Sequence, residues 1–200
     1  MPFATNADLN SNISSWLGGR TDISANIPDF IVLFEAWAAR KLKVRPSQAT
    51  TTLTPSSGSV ALPADYLGYI RATVTSSMRV EMAYVSPSYL QALYPSGISD
   101  TPRYFTIEGS ALKTRSSDAT GIEFLYNAKN TALASALNWL YTNHPDAYLY
   151  GSLAEAAGFT DDPYMLALWS AKRDGVFNDI SLSNFREQGL MHIRVAGAHP

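Results

Sequence analysis

The chain has 200 residues, no cysteine, and 15 Lys plus Arg against 17 Asp plus Glu, for a net charge of -2. That balance speaks against a protein whose main affinity is for nucleic acid phosphates, and the lack of thiols excludes disulfides, thiolate zinc sites and cysteine nucleophiles. The charged fraction is 16%, below the roughly 25% of an average soluble domain, so Ser, Thr, Asn, Ala and Tyr must cover much of the surface and leave room for contact with other proteins.

No run is long and apolar enough to cross a bilayer, and the N-terminus shows no basic segment followed by an apolar one, so a soluble protein with no membrane partner is expected. The chain is long enough for one core with a small satellite layer.

The first predicted helix covers residues 6–17, capped by Thr5 or Asn6, with Leu9, Ile13, Trp16 and Leu17 as its apolar stripe and Gly18-Gly19 as its stop. A second starts near Pro28, continues through Phe30, Ile31, Phe34, Trp37, Ala38 and Leu42 at helical spacing, and has Pro46 as its outer limit. Arg40, Lys41, Lys43 and Arg45 gather where it ends. A solvated last turn explains them, because cations suit a helix C-terminus; a phosphate-contacting patch would need interleaved aromatics that are missing.

From Gln48 the periodicity changes. Residues 50–54, 59–62, 69–75 and 79–84 alternate and are β-branched, separated by Pro/Ser/Gly-rich turns. Ser86 followed by Pro87 opens a short helix over 86–93. Strands over 103–108, 111–114 and 121–127 follow, the first two joined by Gly109-Ser110. Six or seven strands of this kind predict an antiparallel sheet or a small open barrel, with Tyr66, Tyr84, Tyr89, Tyr94 and Tyr104 along it and its crossing helix.

Residues 127–136 read as a polar, Ala-rich linker. Beyond it Pro145-Asp146 suits a first helical turn, Gly158 a stop, and Thr160 to Pro163 a fresh cap and start, which predicts an antiparallel helical hairpin. Its first helix carries Tyr148, Leu149, Leu153, Ala156 and Ala157, with Gly151 and Ala154 thinning one face for a close neighbour; its second offers Met165, Leu168, Trp169, Val176 and Ile180 to a core. Trp16, Trp37, Trp139 and Trp169 read as core anchors.

The fold class is therefore α+β, mainly α: a bundle of about four helices, two from residues 1–46 and two from 128–188, with an antiparallel β insertion over 47–127. Residues 189–200 form a tail in which Met191, Ile193 and Val195 alternate, either frayed or a segment that orders on a partner.

No pattern supports an enzyme, a cofactor or a metal. His144, His192 and His199 lack metal-ligand spacing; Asp161-Asp162 are explained by a helix start; Glu155 has no companion carboxylate or histidine on its helix. Phosphate-binding glycine loops and a G-x-S-x-G elbow are absent from the sequence.

The runs LPADYL (62–67), YVSPSYLQALYP (84–95), PRYFTIEG (102–109), NWLYTN (138–143), DAYLYGSL (146–153) and ALW (167–169) resemble, in order and spacing, those of tailed-phage and prophage head-to-tail adaptor (connector) proteins. The resemblance implies a virion protein of the head-tail neck, made in the host bacterial cytoplasm. It implies self-assembly as a closed ring of about twelve copies beneath the portal protein, extending the channel for double-stranded DNA without binding it specifically, and presenting the surface on which a tail or nozzle protein is built. It also implies a C-terminal arm, Met191, His192, Ile193, Arg194 and Val195, that docks on the portal. Tyr148, Tyr150, Glu155 and Arg173 are the ring-interface candidates, on the outer faces of the helical pair. Two alternatives stand beside this: another neck component such as a stopper or tail-completion ring, and a soluble protein-binding module outside any virion.

Overall fold

The computed structural model describes residues 3–76, 79–98, 100–117 and 119–187. The chain divides into two compact units, one made of Met1–Pro46 with Asn130–Pro200, the other of Ser47–Lys129.

Helix α1 (Asn6–Trp16) starts on a reciprocal cap: Thr5 Oγ1 accepts the Asp8 N–H at 3.1 Å and Asp8 Oδ2 accepts the Thr5 N–H at 2.9 Å. It stops where Gly18 and Gly19 turn left-handed, and the Gly19 N–H closes back on the Ser14 carbonyl at 2.9 Å. Helix α2 (Ile27–Lys41) has Pro28 in its first turn and buries Ile27, Phe30, Ile31, Phe34 and Ala38, the three-to-four-residue spacing of one helix face.

The second unit holds two sheets where one sheet or a small barrel was expected. In the first, β1 (Gln48–Leu53), β8 (Ile122–Ala128), β3 (Tyr66–Val74) and β4 (Val80–Glu81) lie side by side in that order; in the second the order is β2 (Ser59–Ala61), β7 (Ala111–Lys113), β6 (Tyr104–Glu108) and β5 (Ala83–Tyr84). The pairings are antiparallel apart from β5 with β6, which is parallel. The stretch predicted as one strand over 79–84 is divided at Met82. Its N–H bonds the Ala72 carbonyl in the first sheet, while the next N–H, of Ala83, bonds the Arg103 carbonyl beside the second. Met82 is buried in a core shared by both sheets, with Val74, Phe105, Leu112, Ile122 and Phe124. Helix α3 (Pro87–Leu93) begins where Ser86 Oγ accepts the Tyr89 N–H at 3.2 Å, and it buries Leu90.

Back in the first unit, α4 (Trp139–Asn143) is capped by Asn138, α5 (Pro145–Phe159) follows after His144, and α6 (Pro163–Glu187) completes the set. Among the described residues there are thus six α-helices, more than the four or so expected. The unforeseen α4 is too short for a periodic apolar pattern to show. The α5–α6 pair runs antiparallel: Tyr150 stacks on Trp169 with ring centroids 5.9 Å apart, and Asp146, a turn earlier, shares a cavity wall with Val176 and Asp179, further along.

Helix α5 is the centre of this unit. Ala147, Tyr148, Leu149, Gly151, Ser152, Leu153, Ala154, Ala156 and Ala157 are all buried, so it is enclosed on every side rather than on one stripe. Its neighbours α1, α2, α4 and α6 provide Leu9, Ile13, Phe34, Leu140, Phe177 and Ile180 around it.

Candidate assembly surface

Tyr148 shows how the helical unit is locked. Its side chain is 1% exposed. The hydroxyl accepts a hydrogen bond from Asn138 Nδ2 at 2.6 Å and donates to Glu35 Oε1 at 3.0 Å, and the same carboxylate oxygen accepts the Leu133 N–H at 2.7 Å. Asn138 in turn donates to the Thr131 carbonyl and caps α4 through the Tyr141 N–H. One polar chain therefore ties α2, α5, α4 and the 131–138 segment together. Burial is the main reason the phenol is held well above its ordinary pKa, with the Glu35 carboxylate adding to it.

The other three ring-interface candidates lie nearer the surface. Tyr150 is half-buried in an aromatic group with Trp16 and Trp169, and Lys172 Nζ stands 5.3 Å from the Tyr150 ring centroid. Glu155 is half-buried on α5. Arg173 lays its guanidinium 3.9 Å from the Trp37 ring centroid and pairs with Asp174, which fastens α6 to α2. The predicted arm residues Met191, His192, Ile193, Arg194 and Val195 lie outside the described residues. Trp16, read from sequence as a core anchor, is 44% exposed, whereas Trp37, Trp139 and Trp169 are partly buried against the core.

The apolar surface concentrates where α5 turns into α6. Phe159 is 60% exposed, Tyr164 74%, and Met165, Leu166 and Leu168 are exposed with them. Residues 163–171 carry no charge. Sequence periodicity assigned Met165 and Leu168 to the core; they are outside because residues 163–168, the start of α6, are exposed throughout and packing against the core begins at Trp169, and an apolar residue reads the same whether its own fold or a partner covers it. On α2, Val32 and Leu33 add a second exposed apolar strip. Exposed apolar side chains gathered in this way are a candidate contact site for another protein. Arg40, Lys41 and Lys43 are exposed at the end of α2, as its dipole favours.

Among the described residues no group of His, Asp or Glu could hold a metal ion, and no helix is long and apolar enough to cross a membrane. The helical unit thus combines a hydrogen-bonded, buried interior with apolar side chains exposed on α6 and α2.

A family model described as SU10 adaptor protein matches residues 4–194, nearly the whole chain. The chain belongs to this family of head-to-tail adaptors, and is a viral protein, a phage head-tail connector. Membership accords with a structural role in the virion rather than a catalytic one. Among curated proteins none matches the chain.

Proposed function

We propose that the protein assembles as a closed ring of about twelve copies under the portal, continues the DNA channel, and offers the surface on which a tail or nozzle is built. The observation that carries this reading is the set of exposed apolar side chains on either side of the α5–α6 turn, Phe159 before it and Tyr164, Met165, Leu166 and Leu168 after it, present on a member of the adaptor family. In a head-to-tail ring each subunit meets the next through two different faces, and rotation closes the set. Phe159, with Tyr164 and Leu166 on different sides of the first turns of α6, would belong to the contacting end of the unit, with Tyr150, Glu155 and Arg173 further from it; Tyr148 contributes from inside by fixing α5. A chain with net charge -2 suits a lumen through which DNA slides, since strong phosphate binding would slow its passage. The tail, with Met191, His192, Ile193, Arg194 and Val195, is the arm that reaches the portal.

Electron microscopy of the protein mixed with its cognate portal tests this. The expected image is one extra ring layer below the portal. Portal particles without that layer, at saturating adaptor, refute the reading.

A further inference from the structure

We infer that the free protein pairs with a second copy of itself edge to edge through β1, so that the four-stranded sheet of one copy continues into that of the other across a two-fold axis at Thr51. Among the described residues the two sheets of the β unit have four edge strands. β4 and β5 have two residues each and β2 has three, whereas β1 has six. Very short edges offer too few backbone groups to hold another chain, and β1 lacks the other devices that keep an edge from pairing as well. Its ladder with β8 runs from Gln48↔Asn127 to Leu53↔Ile122 without a bulge, and it contains neither a charge nor a proline. It is hydrogen-bonded to β8 alone, so among the described residues the N–H and C=O groups along its outer side bond no other protein group. Such an edge recruits an extended strand.

The strand that fits it is another β1. Residues 46–64 carry no charge, so two copies meet there without like-charge repulsion. When the strands run antiparallel with Thr51 opposite Thr51, residues of equal parity face each other, and the outward backbone groups of one strand meet those of its partner. The two faces match too. Leu53 is buried, with Ala49 and Thr51 partly buried on the same side, while Thr50 and Thr52 are exposed on the other. In this register Ala49 stands opposite Leu53 and Thr50 opposite Thr52, and such cross-strand pairs stabilise a sheet. Pro46 and Pro55 fall just outside the paired stretch and, having no N–H to donate, end the ladder on both sides. A two-fold contact is satisfied by two copies, whereas neighbours in a single ring meet head to tail. The pair therefore belongs to the free protein and parts before a ring closes.

Sedimentation equilibrium of the full chain between about 1 and 500 μM is expected to show a reversible monomer–dimer equilibrium. Thr50→Lys with Thr52→Lys alters exposed positions only and sets like charges opposite each other across the axis; it should raise the dissociation constant at least about tenfold. Thr50→Lys with Thr52→Glu sets opposite charges there and should restore pairing. Because the chain has no cysteine, register can be read directly. Thr51→Cys should give a disulfide-linked dimer on mild oxidation, since directly opposed residues of either pair type lie within disulfide reach, while Leu67→Cys, exposed on β3, should give little. A chain that stays monomeric, or forms only assemblies larger than two, overturns the inference, as does a dimer that survives the two lysines or crosslinking that is equal at 51 and 67. Leu166→Lys, which charges α6, should leave the dimer intact. If it removes the dimer instead, the contact lies on the helical unit and pairing through β1 is refuted, whatever the portal experiment shows of the ring.

Discussion

Gly151 of α5 lies so close against the ring of Phe34 of α2 that a β-carbon at position 151 would overlap the ring. The two helices approach at this point because one of them has no side chain there. Gly151→Ala should therefore destabilise the protein, by about 1–3 kcal/mol, as overpacking does in a filled core, despite alanine's better helix propensity. Thermal melts will show the loss. In Phe34→Leu the ring is gone, so Gly151→Ala added to it should cost clearly less than in the wild type; full additivity would show that the two do not share the space.

Tyr148→Phe removes the hydroxyl that joins Asn138 to Glu35 and leaves the buried Asn138 amide and the part-buried Glu35 carboxylate each one hydrogen bond short. A loss of about 1–3 kcal/mol in denaturant unfolding is expected. Asn138→Ala should cost more, since the α4 cap and the Thr131 tie disappear with it.

The same phenol makes stability sensitive to alkali. Its folded pKa is raised, chiefly by burial, so below the ordinary tyrosine pKa of about 10 both states are protonated and stability does not depend on it. Above that pH the unfolded chain ionises while the native phenol stays neutral, and stability falls as pH rises. Tyr66, Tyr126 and Tyr141 are shifted in the same direction, again mainly by burial. Unfolding curves at pH 8 and pH 11 should show a marked loss in the wild type and a smaller one in Tyr148→Phe.

In the β unit Arg115, at positive φ, donates from Nε to the Tyr94 carbonyl at 2.6 Å, from Nη2 to the Pro95 carbonyl at 2.7 Å, and from Nη1 to Gln91 Oε1 at 2.5 Å. Lysine has no planar fork to span these acceptors. Arg115→Lys should loosen the 94–98 turn and cost about 1.5–3 kcal/mol, read as faster proteolytic nicking there and a lower melting temperature.

For assembly, Leu166→Lys places a charge in the middle of the exposed apolar surface of α6. The monomer should melt within a degree or two of the wild type, because the side chain is outside the core, while ring layers on portal particles should vanish. A normal ring would remove this surface from the interface.

The sequence carried those parts of the fold that are set locally. The starts of α1, α2 and α3 rest on Thr5, Pro28 and Ser86-Pro87, and the break between α5 and α6 on the polar residues before Pro163; each acts within a turn of the backbone it shapes. The passage between sheets at Met82 could not be read, because alternation continues across it and only distant partners, Ala72 and Arg103, distinguish its two sides. Enclosure of α5 was similarly hidden: alanine, glycine and tyrosine suit both a half-exposed and a fully covered helix. Of the proposed contact residues, Tyr148 stood in the apolar spacing of its helix and was also offered to a neighbouring subunit; its partner Glu35, which holds it inside, lies 113 positions away in the chain. The apolar opening of α6 was visible as composition but not as surface.

The helical unit is drawn from both ends of the chain, with its central helix near the far end. During translation, the contiguous segment Ser47–Lys129 can leave the ribosome and close its own core first, while α1 and α2 remain exposed until α5 emerges. Nascent chains arrested before residue 145 are therefore the species most in need of a chaperone, and a truncated product from that region would keep a folded β unit attached to two sticky, unsatisfied helices.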